Sequence, residues 1–172
     1  MATVTLKNIR KSYDRGKTWA VNNVSLDIVD GSFMALLGPS GCGKSSTMRM
    51  IAGLEELTQG EIYFGERLMN RVPPQSRNVA MVFETYALYP TLSVYDNLAF
   101  PLRAAGKPES EVKTRVDAIV EILQCGELLH LKPASLSSGQ SQLVGLGRAL
   151  MRQPNVFIMD EPISHLDTRL RS

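Results

Sequence analysis

Two cysteines, two histidines and one tryptophan in 172 residues leave little material for several kinds of chemistry. Cys42 and Cys125 are widely separated, so neither a disulfide framework nor a thiolate metal cluster is expected. His130 and His165 have no partners at ligand spacing. No apolar run approaches the roughly 18 residues of a membrane span, and the first residues carry no signal-peptide pattern. A cytosolic chain is expected, with any membrane association made through a partner. The net charge is +2, with no dense basic run interleaved with aromatics, so nucleic acid is not an expected partner. Lys7, Arg10 and Lys11 read as a solvated face. Neither an internal repeat nor a low-complexity tract is present. What remains is a chain of one-domain length and 44% hydrophobic content, enough for a sizeable core.

Against that background one segment is dense with information. Gly38, Pro39, Ser40, Gly41, Cys42, Gly43, Lys44 and Ser45 form a complete G-x-x-x-x-G-K-[ST] phosphate-binding loop, followed by Ser46. The glycines allow successive backbone N–H groups to turn toward one anion. A helix starting near Gly43 adds the positive end of its dipole. In this chemistry Lys44 reaches the β- and γ-phosphates and the Ser45 hydroxyl ligates Mg²⁺. Phe33, Met34, Ala35, Leu36 and Leu37 are uniformly apolar and predict a buried strand ahead of the loop. Residues 48–54 continue as helix.

A second segment follows far downstream. Val156, Phe157, Ile158 and Met159 read as a strand covered on both faces, ending in Asp160, Glu161 and Pro162. Carboxylates at the carboxyl end of such a strand sit where open α/β sheets gather ligands. Asp160 suits Mg²⁺ and Glu161 suits a base for an attacking water.

Around these lie half-buried strands near Val4 and Val24, a turn at Thr58, Gln59 and Gly60, and strands at residues 61–64 and 79–83. From about Leu92 to Arg152 the periodicity is helical, with Val112, Val116, Ile119 and Leu123 at threes and fours. Ser137 or Ser138 is a candidate N-cap for a helix carrying Leu143, Leu146 and Leu150.

The ordered set of the phosphate loop, Leu136-Ser137-Ser138-Gly139-Gln140 and Asp160-Glu161 resembles the ATP-binding subunits of ABC transporters. It is most similar to the bacterial carbohydrate-importer branch, with matching text at residues 49–55, 86–90, 93–97 and 147–149. The resemblance implies an α/β P-loop fold with a mostly parallel core sheet, an N-terminal antiparallel portion and a helical insertion. Its nucleotide-binding core would be residues 1–86 and 153–172, and its helical subdomain residues 87–152. It implies that Tyr13 stacks on adenine, with Trp19 a weaker candidate, and that Ser45, Glu84 and Asp160 surround Mg²⁺. Glu161 is then the catalytic residue. Ser137, Ser138, Gly139, Gln140 and Asp167 would face ATP held by an opposite subunit. Such proteins work as head-to-tail homo- or heterodimers with transmembrane permease subunits, peripheral to the cytoplasmic face of the inner membrane. The permease would dock near the segment after Phe83.

The chain also departs from that pattern. Glu84 stands where the family has Gln, placing a further negative charge near the γ-phosphate. Ser138 replaces a glycine, Ser141 and Leu143 stand where the branch carries arginines, and His165 replaces Asn. The chain ends at Ser172, short of a family histidine that touches the γ-phosphate. Impaired hydrolysis is therefore expected. A non-hydrolysing ATP-binding module and a soluble non-transport ABC ATPase remain as alternatives.

Overall fold

Strand alternation at the N-terminus produces the first sheet of the computed structural model, which describes residues 2–82 and 87–160. Strand β1 (Val4–Lys11) pairs antiparallel with β2 (Val21–Ile28) on one side and β3 (Gln59–Phe64) on the other. The two-residue β4 (Arg67–Leu68) completes the order β2-β1-β3-β4. Val4 and Leu6 point inward, as period-two burial requires, and then the parity changes. Both ladders shift register after this point, and Asn8 adopts φ 48°. The inward residues thereafter are Ile9 and Lys11.

Gly60 is where this bulge is accommodated. The sequence placed it in a turn; it lies instead within β3, at φ 91°, against the bulged backbone. A Cβ there would meet Asn8 O at 2.5 Å and Ile9 Cα at 2.6 Å. Only a residue without a side chain permits the approach.

Helix α1 (Lys44–Ala52) follows the phosphate loop and ends at Ala52, two residues before the predicted end, because the next residue, Gly53, takes the left-handed φ of 79°. Arg77 closes that end. Its guanidinium donates to Met50 O, Ile51 O, Met69 O and Val72 O at 2.8–2.9 Å. Burial lowers the Arg77 pKa from its ordinary value, a cost offset by four carbonyl acceptors and the negative end of the helix dipole.

Two expectations fail here. Residues 33–37 form no strand among the described residues; Phe33 is 81% exposed and Leu37 91%. An apolar run becomes a buried strand only where neighbours pair with it and cover it, and no described strand does so. Lys11 is not on a solvated face but only 9% exposed.

Strands β5 (Val79–Val82) and β6 (Val156–Met159) make the second sheet. Asn155 N–H donates to Asn78 O and Asp160 N–H to Val82 O, so the numbering rises together and the strands run parallel. In β6 only Ile158 is buried, so the expected cover on both faces is incomplete among the described residues.

The described residues divide into two units. The first holds the chain up to Val79 with Pro154–Ile158. The second holds the rest, built on α2 (Val94–Ala104), α3 (Glu109–Leu123) and α4 (Ser138–Leu150). Its core gathers Val94, Leu98, Val112, Val116, Ile119 and Val144 with the buried Cys125. Gly147 lets these helices approach: a Cβ would lie 2.8 Å from Leu98 and 2.9 Å from Leu123. Buried Asn97 accepts from Tyr89 N–H and donates to the carbonyls of Tyr89, Leu92 and Ser93, pinning the turn before α2.

The Gly60→Ala variant should lose about 2–4 kcal/mol from backbone strain and collision with β1. Thermal denaturation checks this; an unchanged midpoint would contradict the close approach.

Candidate nucleotide-binding site

The phosphate loop owes its shape to backbone freedom at two glycines. Gly41 and Gly43 adopt φ 80° and 93°, conformations that side chains resist. Gly43 also sits against the start of β2, where a Cβ would meet Ala20 O at 2.2 Å. Gly43 is the N-cap of α1, with no side-chain cap and no acidic residue in the first turn. The positive end of the helix is thus left to an anion from outside the helix.

Lys44 curls back over its own loop. Its Nζ donates to Gly38 O at 2.7 Å and Pro39 O at 2.9 Å, and lies 3.7 Å from the Cys42 sulfur. The ammonium therefore stands at the mouth of the loop, held by carbonyls that phosphate oxygens can replace. Ser40, Ser45 and Ser46 share this segment. A glycine cradle, an uncapped helix start and a lysine at its mouth fit a polyphosphate.

Tyr13 stands beside it. Its hydroxyl lies 3.1 Å from Ser46 Oγ in the first turn of α1, and its ring is largely exposed. Trp19 instead lies under Arg10, 5.4 Å from the guanidinium. The loop carrying Tyr13 is ordered by Asp14, which accepts from the Thr18 hydroxyl and N–H and from the Ser12 hydroxyl. Ser12 N–H in turn donates to Thr58 Oγ1.

The second unit holds other predicted residues. Ser137 caps α4 in a full capping box: Gln140 N–H donates to the Ser137 hydroxyl, and Ser137 N–H donates to Gln140 Oε1. Of the two serines, Ser137 is the cap. Ser138 is the first residue of α4 and is not among the residues with positive φ, so its side chain costs no backbone strain. Gly139 follows in the same turn. Asp160 stands just after β6. Glu84, Glu161, Asp167 and His165 lie outside the described residues.

Sequence reasoning missed Lys11, whose Nζ lies 4.8 Å from the Tyr13 ring centroid. The usable signal was Ile9: an apolar residue out of step with Val4 and Leu6 marks the parity change that turns Lys11 inward. An exposed cluster in the second unit was also missed as a cluster. Tyr89 and Phe100 have ring centroids 4.5 Å apart, and Arg148 lies over Tyr89 at 5.2 Å while donating to Ala87 O.

Residues 21–164 match the family described as ABC transporter. The chain belongs to that family. Among ABC relatives, the maltose/maltodextrin import ATP-binding protein of Photobacterium profundum is 51% identical over 99% of this chain and 46% of its own length. The sn-glycerol-3-phosphate import ATP-binding protein of Rhodopseudomonas palustris is 52% identical over 99% of this chain and 46% of its own. The chain spans about half the length of these ABC relatives. A dimeric post-hydrolysis ATP-binding cassette bound to ADP and Pi matches with a TM-score of 0.86 and 31% identity, covering 96% of this chain and 77% of that one. A nucleotide-free ABC transporter cassette gives 0.84 and 28%, covering 99% and 73%. The expected α/β P-loop class is the fold of these ABC cassettes.

The Asp14 carboxyl is held down to about 2 from an ordinary 3.8, chiefly by the Thr18 hydroxyl, then by Thr18 N–H and the Ser12 hydroxyl. A folded value below the unfolded one stabilises the loop above pH ~4, and that contribution is lost as pH falls through about 2. An NMR titration of Asp14 should have its midpoint near 2. A midpoint at the ordinary carboxylate value would show that the Thr18 contacts do not persist in solution.

Proposed function

We propose that this chain is the nucleotide-binding part of an ATP-hydrolysing, energy-coupling subunit of an ABC importer for carbohydrates. The observation that carries the reading is the phosphate loop: Lys44 at the mouth of a glycine cradle, above a helix start with no internal cap. Gly38, Pro39, Ser40, Gly41, Cys42 and Gly43 would wrap the phosphates with backbone amides. Lys44 would exchange its loop carbonyls for the β- and γ-phosphates, and Ser46 and Tyr13 would bound the nucleotide's other end.

Mg²⁺ would be held by Ser45, Asp160 and Glu84, and when bound it neutralises charge on the transferred phosphoryl group. One hydroxyl and few carboxylates suit an ion that keeps waters and phosphate oxygens as its other ligands. Glu161 would take the proton of the attacking water. Residues 1–86 with 153–172 would be the nucleotide-binding core, and residues 87–152 the helical subdomain.

A second nucleotide-binding subunit would complete the site through Ser137, Ser138, Gly139, Gln140 and Asp167. The dimeric state of the ADP-bound cassette supports this. The exposed Tyr89–Phe100 pair, close in sequence to the segment after Phe83, supports contact with a transmembrane permease. Through such contact the protein would sit peripherally on the cytoplasmic face of the inner membrane; no described helix is long and apolar enough to cross a membrane. Carbohydrate cargo rests on the names of relatives alone. One sequence feature favours a second reading, a module that binds ATP without turnover: Glu84 adds negative charge where the family carries an amide.

Lys44→Ala should weaken binding of a fluorescent ATP analogue by about 100-fold or more, as losing a charge-assisted contact of about 3 kcal/mol implies. Undiminished binding would overturn the assignment. Phosphate release, measured against a Glu161→Gln control, separates the two readings. Turnover above the control is expected, and turnover equal to it would leave the non-hydrolysing module.

A further inference from the structure

We propose that Lys11 is a positioning residue for base recognition, its ammonium fixing one face of Tyr13 so that the other is presented to a purine. The inference rests on the nucleotide reading of residues 38–45 and Tyr13, and adds to it a residue outside both segments. Lysine is seldom buried, because its ammonium must find partners for three N–H groups. Lys11 is 9% exposed and has three: Glu56 O at 2.8 Å, Glu55 Oε2 at 3.0 Å, and the Tyr13 ring with its centroid at 4.8 Å. The cation is desolvated by the fold and then satisfied by it, and one of its contacts is the ring.

Tyr13 is held at two places that together define its plane. Lys11 lies over one face, and the hydroxyl at the ring's far edge lies 3.1 Å from Ser46 Oγ. The residue nevertheless remains 59% exposed. A surface tyrosine with no such contacts would sample several rotamers, and a base stacking on it would have to select one. Here that ordering precedes binding. The cation also draws electron density toward its own face, making the opposite face a better partner for an electron-rich purine.

The same ammonium links the two ends of the site. Glu55 and Glu56 lie just beyond α1, whose first turn carries Ser46 and whose start is the phosphate loop. Lys11 ends β1, and its carbonyl accepts from Ala20 N–H, the residue whose own carbonyl abuts Gly43. One side chain thus relates the base platform to the helix that receives the phosphates.

The test compares two ligands, Mg-ATP and inorganic tripolyphosphate with Mg²⁺, which shares the phosphates but has no base. Lys11→Met should weaken ATP binding by about fivefold to tenfold and leave tripolyphosphate unchanged. Tyr13→Ala should show the same selective loss, and the double variant should be no worse than Tyr13→Ala alone. Lys11→Arg, which keeps a cation for the ring, should recover most of the ATP affinity. If Lys11→Met fails to fold, Lys11→Gln, which keeps a donor for Glu56 O without the charge, should show the selective loss. Equal loss for both ligands would make Lys11 merely structural and overturn the proposal. So would unchanged ATP affinity in Lys11→Met or Lys11→Gln while Tyr13→Ala is weakened, with the nucleotide reading left standing. Unchanged ATP affinity in both Tyr13→Ala and Lys44→Ala would instead remove the nucleotide reading itself.

Discussion

The bulge in β1 is the constraint on which the first unit depends. Between Leu6 and Ile9 the strand changes which parity faces inward, and Gly60 in β3 makes room for the backbone that this displaces. Without the change, Lys11 would point to solvent, as a lysine at the end of a strand ordinarily does. With it, a cation enters the interior and must be paired. Its partners are the residues after α1 and the ring of Tyr13. A local irregularity in hydrogen bonding therefore decides the surroundings of a side chain three residues away.

The phosphate loop works on a different principle. Its shape comes from backbone freedom at two glycines and from a helix start with no side-chain cap, the backbone features that suit an anion. Gly43 must be a glycine for two independent reasons, its left-handed φ and the Ala20 carbonyl against which it rests. Lys44 supplies the charge and meanwhile satisfies its donors on loop carbonyls. The arrangement keeps a highly charged group ordered before any ligand arrives. At the opposite end of α1, Arg77 donates to the last carbonyls, a cation that suits the negative end of the helix dipole.

The second unit is simpler in its physics. Its helices follow from local periodicity, and their packing from a few residues that permit closeness or close a turn: Gly147, Asn97 and the Ser137–Gln140 box. The serine at position 138, a departure from the family pattern, is absorbed because the first turn of a right-handed helix tolerates any ordinary side chain.

Sequence alone determined what is local. The phosphate-loop motif and the periodic apolar stripe of α3 are each encoded within a dozen residues, so residue spacing sufficed to read them, and the cap of α4 was legible down to a choice between Ser137 and Ser138. Tertiary structure decided what is not local. Whether residues 33–37 are covered depends on neighbours remote in the chain, and hydrophobicity alone could not supply them. Whether Lys11 is wet or buried depends on a bulge paired across two strands, and whether Gly60 turns or bulges depends on what lies opposite. A side chain's own chemistry limits where it can go, but its final burial is set by backbone register and by contacts from segments that sequence spacing does not bring together.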